Sequence, residues 1–369
     1  MEEKDTRGRY VFVTVGTTKF EALVEQVDSE AFGAWLQTQG ADLRVVVQRG
    51  AGAYEPRSPW IAECYTYKPS LAADMGGAAL VITHAGSGSV LEALRLRRRT
   101  CVVANTALMD NHQTELAQEL HRRGLVAYAA GAENLLTALT DVHIGFEDTE
   151  EGAAEKTAAT ATGALVPANS FTEFLSYDVL GGKRWGRGSL MVLGSGGHTT
   201  EMLWMLGSLP AAASGTTVGL DSLAPRRYAV AETDKMSGPR AEAFDADARV
   251  VSVPRSREVG QSYLSSVWTT LVALVCAFVA LWRDTPSLVI CNGPGTCVPV
   301  LVAVWLVRLL KWTEIETVYV ESVARVQHLS LSGRIVRRLN LADRFVVQWP
   351  TLAKQCGAAV LLRNFFFPI

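Results

Sequence analysis

The sequence has 369 residues, a length that favours two domains over one. Lys and Arg number 35 and Asp and Glu number 37, so the formal net charge of −2 excludes the strongly basic surface that sequence-independent nucleic-acid binding requires. The charged N-terminus lacks the apolar segment of a secretory signal, and the six cysteines lack zinc-type spacing. These features predict a chain in a reducing compartment with no nucleic-acid partner.

The first half alternates short apolar runs with helical periodicity, which is typical of a parallel sheet with crossover helices. The predicted strands are Tyr10 to Gly16, Leu43 to Gly50, Ile61 to Tyr67, Ala79 to Gly86, Thr100 to Asn105 and Val126 to Ala130. The predicted helices are Phe20 to Val27, Ser87 to Arg97, Asn111 to Arg123 and Ala132 to Leu139. Residues 9–147 are therefore expected to form a doubly wound α/β domain.

Residues 148–187 are predicted to be a linker, because the chain from Phe146 to Ser170 is acidic and then rich in Ala, Thr and Gly. A second alternating series occupies residues 188–369. Its strands are expected from Ser189 onward and at Tyr228 to Thr233, Arg249 to Pro254, Leu288 to Asn292, Val318 to Glu321 and Arg344 to Trp349. Its helices are expected at Thr200 to Leu209, at Leu331 to Leu339 and in two long apolar segments. Two Rossmann-like halves predict a ligand in the cleft between the carboxyl ends of their sheets.

Gly16 and Thr17 form a turn after the first predicted strand. A turn between a strand and a helix exposes backbone N–H groups to a phosphate, and a plain connecting turn is the alternative interpretation. The turn lacks the Gly-x-Gly-x-x-Gly spacing, so the sequence disfavours a nicotinamide dinucleotide.

The segment from His84 to Glu92 reads His-Ala-Gly-Ser-Gly-Ser-Val-Leu-Glu and joins a predicted strand to a predicted helix. Gly86 and Gly88 allow the backbone to approach a ligand closely. The Glu92 carboxylate can accept hydrogen bonds from a ribose diol. Leu91 stands where a dinucleotide turn has its third glycine, which favours a nucleotide sugar; a glycine-rich structural turn is the alternative.

Asp110, Asn111 and Gln113 follow the next predicted strand. Their mixed donors and acceptors suit the hydroxyls of a sugar. A capping box, with Asp110 as N-cap and Gln113 as its partner, is the alternative.

Ser195, Gly196, Gly197 and His198 form the corresponding turn of the second half. Its amides could hold a diphosphate, and an imidazole, which titrates near neutral pH, is placed there for proton transfer. A structural histidine is the alternative.

Asn292, Gly293 and Gly295 lie in another turn between a strand and an apolar helix. Free amides at that helix start could contact the same diphosphate, or the turn could simply end the strand. Glu321 follows a later strand and is a second candidate for the general base, with helix capping or a salt bridge as the alternative.

Asp245 and Asp247 resemble a metal-binding Asp-x-Asp pair, but they lie in a polar stretch rather than at the end of an apolar strand. Both are therefore expected on the solvated surface. We expect no metal and no other cofactor, because backbone dipoles can stabilise a diphosphate.

Residues 259–282 carry no charge, and residues 298–310 form a second apolar segment. The first is long enough to span a bilayer and the second is too short, but both are embedded in the strand and helix alternation and are therefore interpreted as crossover helices. Their excess apolar face, with flanking Arg and Lys, suits a membrane interface, and burial against the sheet is the alternative. The tryptophans of this face are Trp268, Trp282, Trp305 and Trp312.

Together these motifs resemble the two subunits of the eukaryotic UDP-N-acetylglucosamine transferase that adds the second sugar to the dolichol-linked N-glycan precursor. Residues 10 to 140 resemble the donor-binding catalytic subunit, and residues 189 to about 355 resemble the membrane-recruiting subunit. The matching segments are Phe12–Phe20, His84–Glu92, Asn105–Gln113, Val192–Met202, Arg255–Ser262, Cys291–Cys297 and Val320–Val326. The related bacterial peptidoglycan transferase MurG has both halves in one chain but in the opposite order.

The resemblance implies a GT-B fold, with two Rossmann-like doubly wound α/β domains facing a cleft. It implies an inverting glycosyltransferase that moves GlcNAc from UDP-GlcNAc to GlcNAc-diphosphodolichol, forming a β1,4 bond. Glu92 would bind the uridine ribose, Asp110 and Gln113 the donor sugar, and the turn from Gly194 to Gly197 the acceptor diphosphate. The expected location is the cytosolic face of the endoplasmic reticulum membrane, where other enzymes of the dolichol pathway are further partners to test.

The predicted site residues fall into three groups. The donor-binding residues are Gly16, Thr17, His84, Gly86, Ser87, Gly88, Glu92, Asp110, Asn111 and Gln113. The acceptor-binding residues are Ser195, Gly196, Gly197, Asn292, Gly293 and Gly295, and the catalytic candidates are His198 and Glu321. Two rival functions remain: a UDP-GlcNAc epimerase, which needs no lipid, and a non-catalytic UDP-binding scaffold of the dolichol pathway.

Overall fold

The computed structural model describes residues 9–68, 70–105, 112–140, 142, 171, 174–175, 179, 186–210, 219–256, 263–357 and 360–361. The chain divides into two compact units, Met1–Thr162 and Gly163–Ile369. Each unit has its own parallel sheet and its own buried apolar core. The predicted fold class of two Rossmann-like α/β halves is thereby confirmed.

The first unit contains six strands in the order β3-β2-β1-β4-β5-β6, all parallel. The strands are β1 Tyr10–Thr14, β2 Arg44–Gln48, β3 Ile61–Tyr65, β4 Leu80–His84, β5 Thr100–Val103 and β6 Ala127–Ala129. The helices are α1 Glu21–Val27, α2 Glu30–Gln39, α3 Ala72–Gly76, α4 Ser87–Arg95, α5 His112–Arg122 and α6 Leu135–Leu139. The central strands β1 and β4 are buried along their whole length, as continuous apolar runs predict.

The second unit contains seven parallel strands in the order β13-β12-β11-β10-β7-β8-β9. The strands are β7 Ser189–Val192, β8 Arg226–Ala231, β9 Arg249–Val253, β10 Leu288–Asn292, β11 Glu316–Val320, β12 Arg344–Val347 and β13 Val360–Leu361. The helices are α7 Gly197–Gly207, α8 Ser237–Phe244, α9 Tyr263–Arg283, α10 Cys297–Lys311, α11 Leu331–Arg338 and α12 Pro350–Cys356.

The strand order places a topological switch point in each sheet. In the first unit, the chain proceeds from β1 to β2 and β3 on one side and then returns to β4 on the other side of β1. In the second unit, β10 lies beside β7, opposite β8. Ligands of open α/β sheets bind at the carboxyl ends of the strands at such points. The turns after β1 and β4, and those after β7 and β10, therefore occupy the expected ligand positions.

Helices α9 and α10 pack beside each other in the second unit, and each also presents an apolar face to solvent. On α9, Ala273, Ala277 and Leu281 are buried, whereas Trp268 is 71% exposed and Val275 61% exposed. Among the residues that the structure describes, no helix has both the length and the apolar character needed to cross a membrane.

The expectation for Asp245 was wrong. This side chain is only 5% exposed, and its two carboxylate oxygens accept hydrogen bonds from Arg226 Nε at 2.6 Å and Nη2 at 2.7 Å. Tyr228 Oη donates a further bond at 2.9 Å. The Arg226 guanidinium holds the pKa of the Asp245 carboxyl below its usual value. The polar residues that flank Asp245 give no sign of this ion pair with Arg226 on strand β8. Asp247 is exposed, as expected.

Four apolar side chains inside the segment predicted to be a linker are buried. They are Phe171, Phe174, Leu175 and Val179. The composition on which the linker prediction rests is that of residues 146–170, which precede these four positions.

Candidate active site

The turn after β1 is fixed by a buried glutamine. Gly16 has a φ of 63°, which favours glycine, and its N–H donates to Gln48 Oε1 at 3.0 Å. Gln48 Nε2 donates back to the Gly16 carbonyl at 2.7 Å. The Gly16 amide is thus directed into the protein, and the exposed Thr17 is the part of this turn that faces solvent. Sequence analysis did not select Gln48, whose only signal is a polar residue ending an apolar strand.

His84 ends β4 and fits between two glycines. A Cβ atom at Gly16 would lie 2.6 Å from His84 Cε1, and one at Gly86 would lie 2.3 Å from His84 Nε2. Any side chain at either glycine would therefore displace the imidazole. Burial lowers the pKa of His84 to about 4, so the ring is neutral at physiological pH. Its Nδ1 atom is buried and has no hydrogen-bond partner among the described residues.

Helix α4 begins directly after this ring. Its N-cap is Gly86, which has no side chain to cap the first-turn amides, and Ser87 and Gly88 supply the first residues of the helix. A helix start of this kind attracts an anion. Glu92 lies in the second turn of α4 and is partly buried. The structure thus places His84, Gly86, Ser87, Gly88 and Glu92 at the switch point of the first unit.

Three predicted donor residues cannot be placed in the same way. Asp110 and Asn111 lie outside the described residues. Gln113 is in the first turn of α5, and its side chain is likewise outside the description. Their assignment to the donor sugar stays a prediction.

The two turns at the switch point of the second unit meet at His198. A Cβ atom at Gly293, whose φ is 68°, would lie 2.7 Å from His198 Cε1, and one at Gly194 would lie 2.7 Å from Pro294 Cβ. The half-buried imidazole therefore lies directly against the turn after β10. Its Nδ1 atom is 3.2 Å from Asn292 Oδ1, and Asn292 is completely buried. The turn after β10 is thus a platform for His198.

Two helices begin at this point without a side-chain cap. Gly196 is the N-cap of α7 and Thr296 that of α10, and neither makes a side-chain capping hydrogen bond. Ser195 and Gly196 are exposed, Gly197 is partly exposed, and Gly295 is exposed. In α10 the first N–H groups are already paired, because Cys297 N–H donates to the Pro294 carbonyl at 3.0 Å and Val298 N–H donates to the Gly295 carbonyl at 3.2 Å, and residue 299 is a proline. The start of α7 therefore matches the requirement for binding an anion, whereas α10 contributes only the direction of its dipole.

A cavity lies beside these helix starts, entirely within the second unit. Its lining residues come from the turns after β7, β8, β9 and β10: Leu193, Gly194, Ser195, Ala231, Asp234, Arg255, Ser256, Pro294, Gly295 and Thr296. Arg255 is the one cationic side chain of this lining. The Asp234 carboxylate accepts from the N–H of Ser237 at 3.1 Å and from its Oγ at 2.6 Å, which directs its charge toward the start of α8. The lining therefore carries one guanidinium and one carboxylate, and this carboxylate is already hydrogen-bonded at the start of α8.

Arg255 lines this cavity, although it is not among the site residues predicted from the sequence. It was identified only as part of a motif and as a cation near the apolar helices. Its Nη1 donates to Thr233 Oγ1 at 3.3 Å, which holds the guanidinium at the carboxyl edge of the sheet. The sequence feature that could have identified Arg255 is its position two residues after β9, at the same sheet edge as the glycine turns.

Glu321 is completely buried, and its carboxylate accepts hydrogen bonds from the residue that caps the N-terminus of α11. Its Oε1 accepts from the N–H of Ser322 at 3.1 Å, and its Oε2 accepts from the N–H and the Oγ of Ser330, both at 3.0 Å. Ser330 in turn caps α11 by accepting from the Gly333 N–H at 2.9 Å. Burial raises the pKa of Glu321 to about 7. This environment fits the helix-capping alternative, and a catalytic role for Glu321 stays a prediction.

No group of three or more His, Cys, Asp or Glu side chains suited to a metal ion occurs where the structure describes side chains. The described residues at the two switch points supply backbone N–H donors, the imidazoles of His84 and His198, the Glu92 carboxylate and the Arg255 guanidinium. This donor set is suited to binding phosphate groups and to moving a proton.

Comparisons with known proteins identify both halves. Residues 189–362 match the family described as Oligosaccharide biosynthesis protein Alg14 like. The UDP-N-acetylglucosamine transferase subunit ALG14 of Mus musculus is 44% identical over 186 residues, which cover 47% of this chain and 80% of that protein. The chain belongs to the ALG14 family. The ALG14 subunit of Yarrowia lipolytica is 39% identical over 173 residues, covering 45% of this chain and 75% of that protein.

The half that precedes the ALG14 region also matches a known family. Residues 10–165 match the Glycosyltransferase family 28 C-terminal domain. An NMR solution structure of ALG13 matches 42% of this chain and 96% of that chain, with 21% identity and a TM-score of 0.29, too low to carry an argument. The predicted fusion of a donor-type half with an ALG14-type half is confirmed, with the family 28 domain first.

Proposed function

We propose that this chain carries both halves of a UDP-GlcNAc transferase in one polypeptide. Its ALG14 relatives are named as subunits of such a transferase, and here the family 28 domain precedes the ALG14 region in the same chain. The chain transfers GlcNAc from UDP-GlcNAc in the synthesis of dolichol-linked oligosaccharide. The observation that carries this function is the presence of both domains together. The finer reaction is transfer to the 4-hydroxyl of GlcNAc-diphosphodolichol with inversion to a β1,4 bond.

We assign donor binding to the switch point of the first unit. The N–H groups at the start of α4 donate hydrogen bonds to a UDP phosphate, and the Glu92 carboxylate accepts hydrogen bonds from the uridine ribose. The neutral His84 ring lies between the turn after β1 and the turn after β4 and sets the distance between them. It fits there because Gly16 and Gly86 have no side chain that would collide with the imidazole. Asp110, Asn111 and Gln113 complete the proposal as groups that bind the donor sugar.

The acceptor diphosphate is assigned to the switch point of the second unit. The helix starts at Gly197 and Cys297 supply backbone dipoles, and Arg255 supplies the positive charge of the cavity beside them. A guanidinium can bind two phosphate oxygens at once. Because these groups already neutralise a diphosphate, we expect transfer to proceed without a divalent metal.

His198 is proposed as the general base. It accepts the proton of the acceptor 4-hydroxyl while the oxygen forms a bond to C1 of GlcNAc, and the bond from C1 to the UDP oxygen breaks with its electron pair on UDP. The half-buried imidazole of His198 lies against Gly293 and Gly194, beside the cavity but not among its lining residues, and is suited to this step. Glu321, in contrast, is enclosed by its hydrogen bonds. Glu321 is retained as the second candidate.

The exposed faces of α9 and α10 are proposed to lie in the interface of the endoplasmic reticulum membrane, on its cytosolic side. The outward residues of α9 recur at helical spacing from Trp268 to Trp282, and Trp305 on α10 is 51% exposed. The opposite side of α9 packs on the core of the second unit. A helix with one face on a folded domain and the other apolar is suited to lying along a membrane surface.

The test uses the purified full-length chain, radiolabelled UDP-GlcNAc and a short-chain GlcNAc-diphosphoprenol, with and without EDTA. We expect a β1,4-linked disaccharide on the lipid in both conditions. Free ManNAc or a UDP-ManNAc product would replace the transferase assignment with an epimerase. UDP binding without any lipid product in detergent would favour the scaffold function. Product that disappears with EDTA would overturn the metal-independent mechanism alone.

A further inference from the structure

His198 belongs to a buried chain of hydrogen bonds that ends at a carboxylate outside the cavity. Asn292 Oδ1 lies 3.2 Å from His198 Nδ1, and Asn292 Nδ2 donates to Glu201 Oε2 at 3.2 Å. Glu201 is on α7, three residues after His198, and its exposure is 0%. Neither Asn292 nor Glu201 is exposed to solvent, so this chain is closed to water.

The carboxylate of Glu201 accepts a hydrogen bond at each of its three contacts. Besides Asn292, Ser322 Oγ donates to its Oε1 at 2.9 Å, and the Val323 N–H donates to its Oε2 at 3.3 Å. A carboxylate surrounded by three donors is an acceptor at every one of these contacts. The carboxamide of Asn292 must therefore turn its NH₂ group toward Glu201.

This orientation determines which nitrogen of His198 carries the proton. With its NH₂ group directed to Glu201, Asn292 presents its oxygen to His198 Nδ1, so Nδ1 must be the N–H donor. The neutral ring then has its lone pair on Nε2. A base needs that lone pair, and the opposite tautomer would offer an N–H to the acceptor hydroxyl instead.

We infer that Glu201 is a positioning residue of the transfer reaction, which acts through Asn292 to hold His198 in the tautomer with Nε2 free. After the acceptor proton moves to Nε2, the imidazolium keeps its bond to Asn292, and the negative charge of Glu201 at the end of the chain stabilises it. The inference rests on the proposed function for the step that it serves. The tautomer itself is a property of the protein without substrate.

The test compares wild type with Glu201→Gln. A glutamine keeps the shape but can donate as well as accept, so Asn292 is free to reverse and to offer its NH₂ group to His198. We expect kcat to fall by about 10- to 100-fold while KM for UDP-GlcNAc and for GlcNAc-diphosphoprenol stays within about twofold. The matched control is Asp343→Asn, which removes a carboxylate hydrogen-bonded to Arg308 and Thr317 in the same unit. It should lower the melting temperature and leave kcat unchanged.

A second measurement does not depend on catalysis. In ¹⁵N-histidine-labelled protein without substrate, the His198 signals, assigned by their loss in His198→Ala, should show a protonated Nδ1 and an unprotonated Nε2. In Glu201→Gln, signals of the Nε2–H tautomer should appear. A wild-type ring protonated on Nε2, or a Glu201→Gln enzyme with unchanged kcat, would overturn the inference. Wild-type protein with the expected tautomer but no transferase activity would instead contradict the proposed function.

Discussion

Glu92 is the residue at which donor binding can be tested apart from chemistry. Its carboxylate is in the second turn of α4, at the switch point of the first unit. Hydrogen bonds to a charged group contribute about 1.5 to 3 kcal/mol each, and 1.4 kcal/mol is about tenfold in affinity. We expect Glu92→Ala to raise the Kd for UDP by about 10- to 100-fold in calorimetry. Glu25→Ala, an exposed carboxylate on α1 of the same unit, is the control and should bind UDP as wild type does.

If Glu92→Ala and wild type bound UDP with equal affinity, the assignment of the donor site to α4 would be wrong. His198→Ala is the complementary variant: it should lower turnover with UDP affinity unchanged. A His198→Ala enzyme with full turnover would transfer the role of base to Glu321.

His84 makes the stability of the chain depend on pH. Burial lowers its pKa to about 4 in the folded state, against an ordinary value of about 6.5, so the unfolded chain binds more protons between these two values. Stability from this residue is fully present above about pH 6.5 and is lost as pH falls toward 4, by roughly 3 kcal/mol. His84→Gln cannot titrate. We expect its destabilisation relative to wild type to shrink as pH falls from 7 to 4.5 in urea unfolding, and a constant difference would contradict the buried neutral ring.

Helix α9 carries a stripe of exposed apolar side chains that repeats at the helical period. Its members are Trp268, Leu271, Val272, Val275, Val279 and Trp282. The ring of Trp282 also receives Lys311 Nζ at 4.8 Å from its centroid, which adds a cation beside the stripe. Tryptophan favours the interfacial region of a membrane, and the neighbouring cation favours anionic lipid.

Removing the two tryptophans of this stripe should release the protein from membranes. We expect Trp268→Ser with Trp282→Ser to weaken binding to vesicles of phosphatidylcholine and phosphatidylinositol by about tenfold per tryptophan, as measured by flotation. Leu339→Ser is the control, because Leu339 is 59% exposed but lies at the end of α11, outside the stripe. Equal loss in the control, or full binding by the double variant, would contradict membrane contact through α9.

The sequence predicts most of the elements because the strands are continuous apolar runs and the long helices are periodic. The helices that were not predicted are α2, α3, α8 and α12, each of which is short or has a mixed apolar pattern. What local patterns cannot reveal is pairing over long separations. His198 and Asn292 are 94 residues apart, and Arg226 and Asp245 lie on different elements. Hence the turn motifs were placed correctly at the switch points, whereas the buried position of Asp245 and the roles of Gln48 and Arg255 required the structure.

At the scale of the whole chain, each of the two units has its own parallel sheet and its own buried apolar cluster among the described residues. Every strand of the first sheet comes from residues 10–129, and every strand of the second comes from residues 189–361. The cores are likewise separate, with one set of buried residues from Tyr10 to Leu139 and another from Leu190 to Leu341. Among the strands that the structure describes, neither sheet contains one from the other half, so we expect a cut between the halves to leave the pairing of these strands intact.

Limited digestion with a glutamate-specific protease tests this division and the predicted linker at 148–187. Cleavage of folded protein needs local unfolding, so sites in helices, such as Glu25 on α1 and Glu242 on α8, should be cut slowly. The acidic segment contains Glu150, Glu151 and Glu155 and is expected to be cut first. Mass spectrometry should therefore find two stable fragments, and the fragment with β1 to β6 should keep wild-type affinity for UDP. First cuts inside either sheet, or a first fragment that unfolds on release, would show that the halves depend on each other for stability.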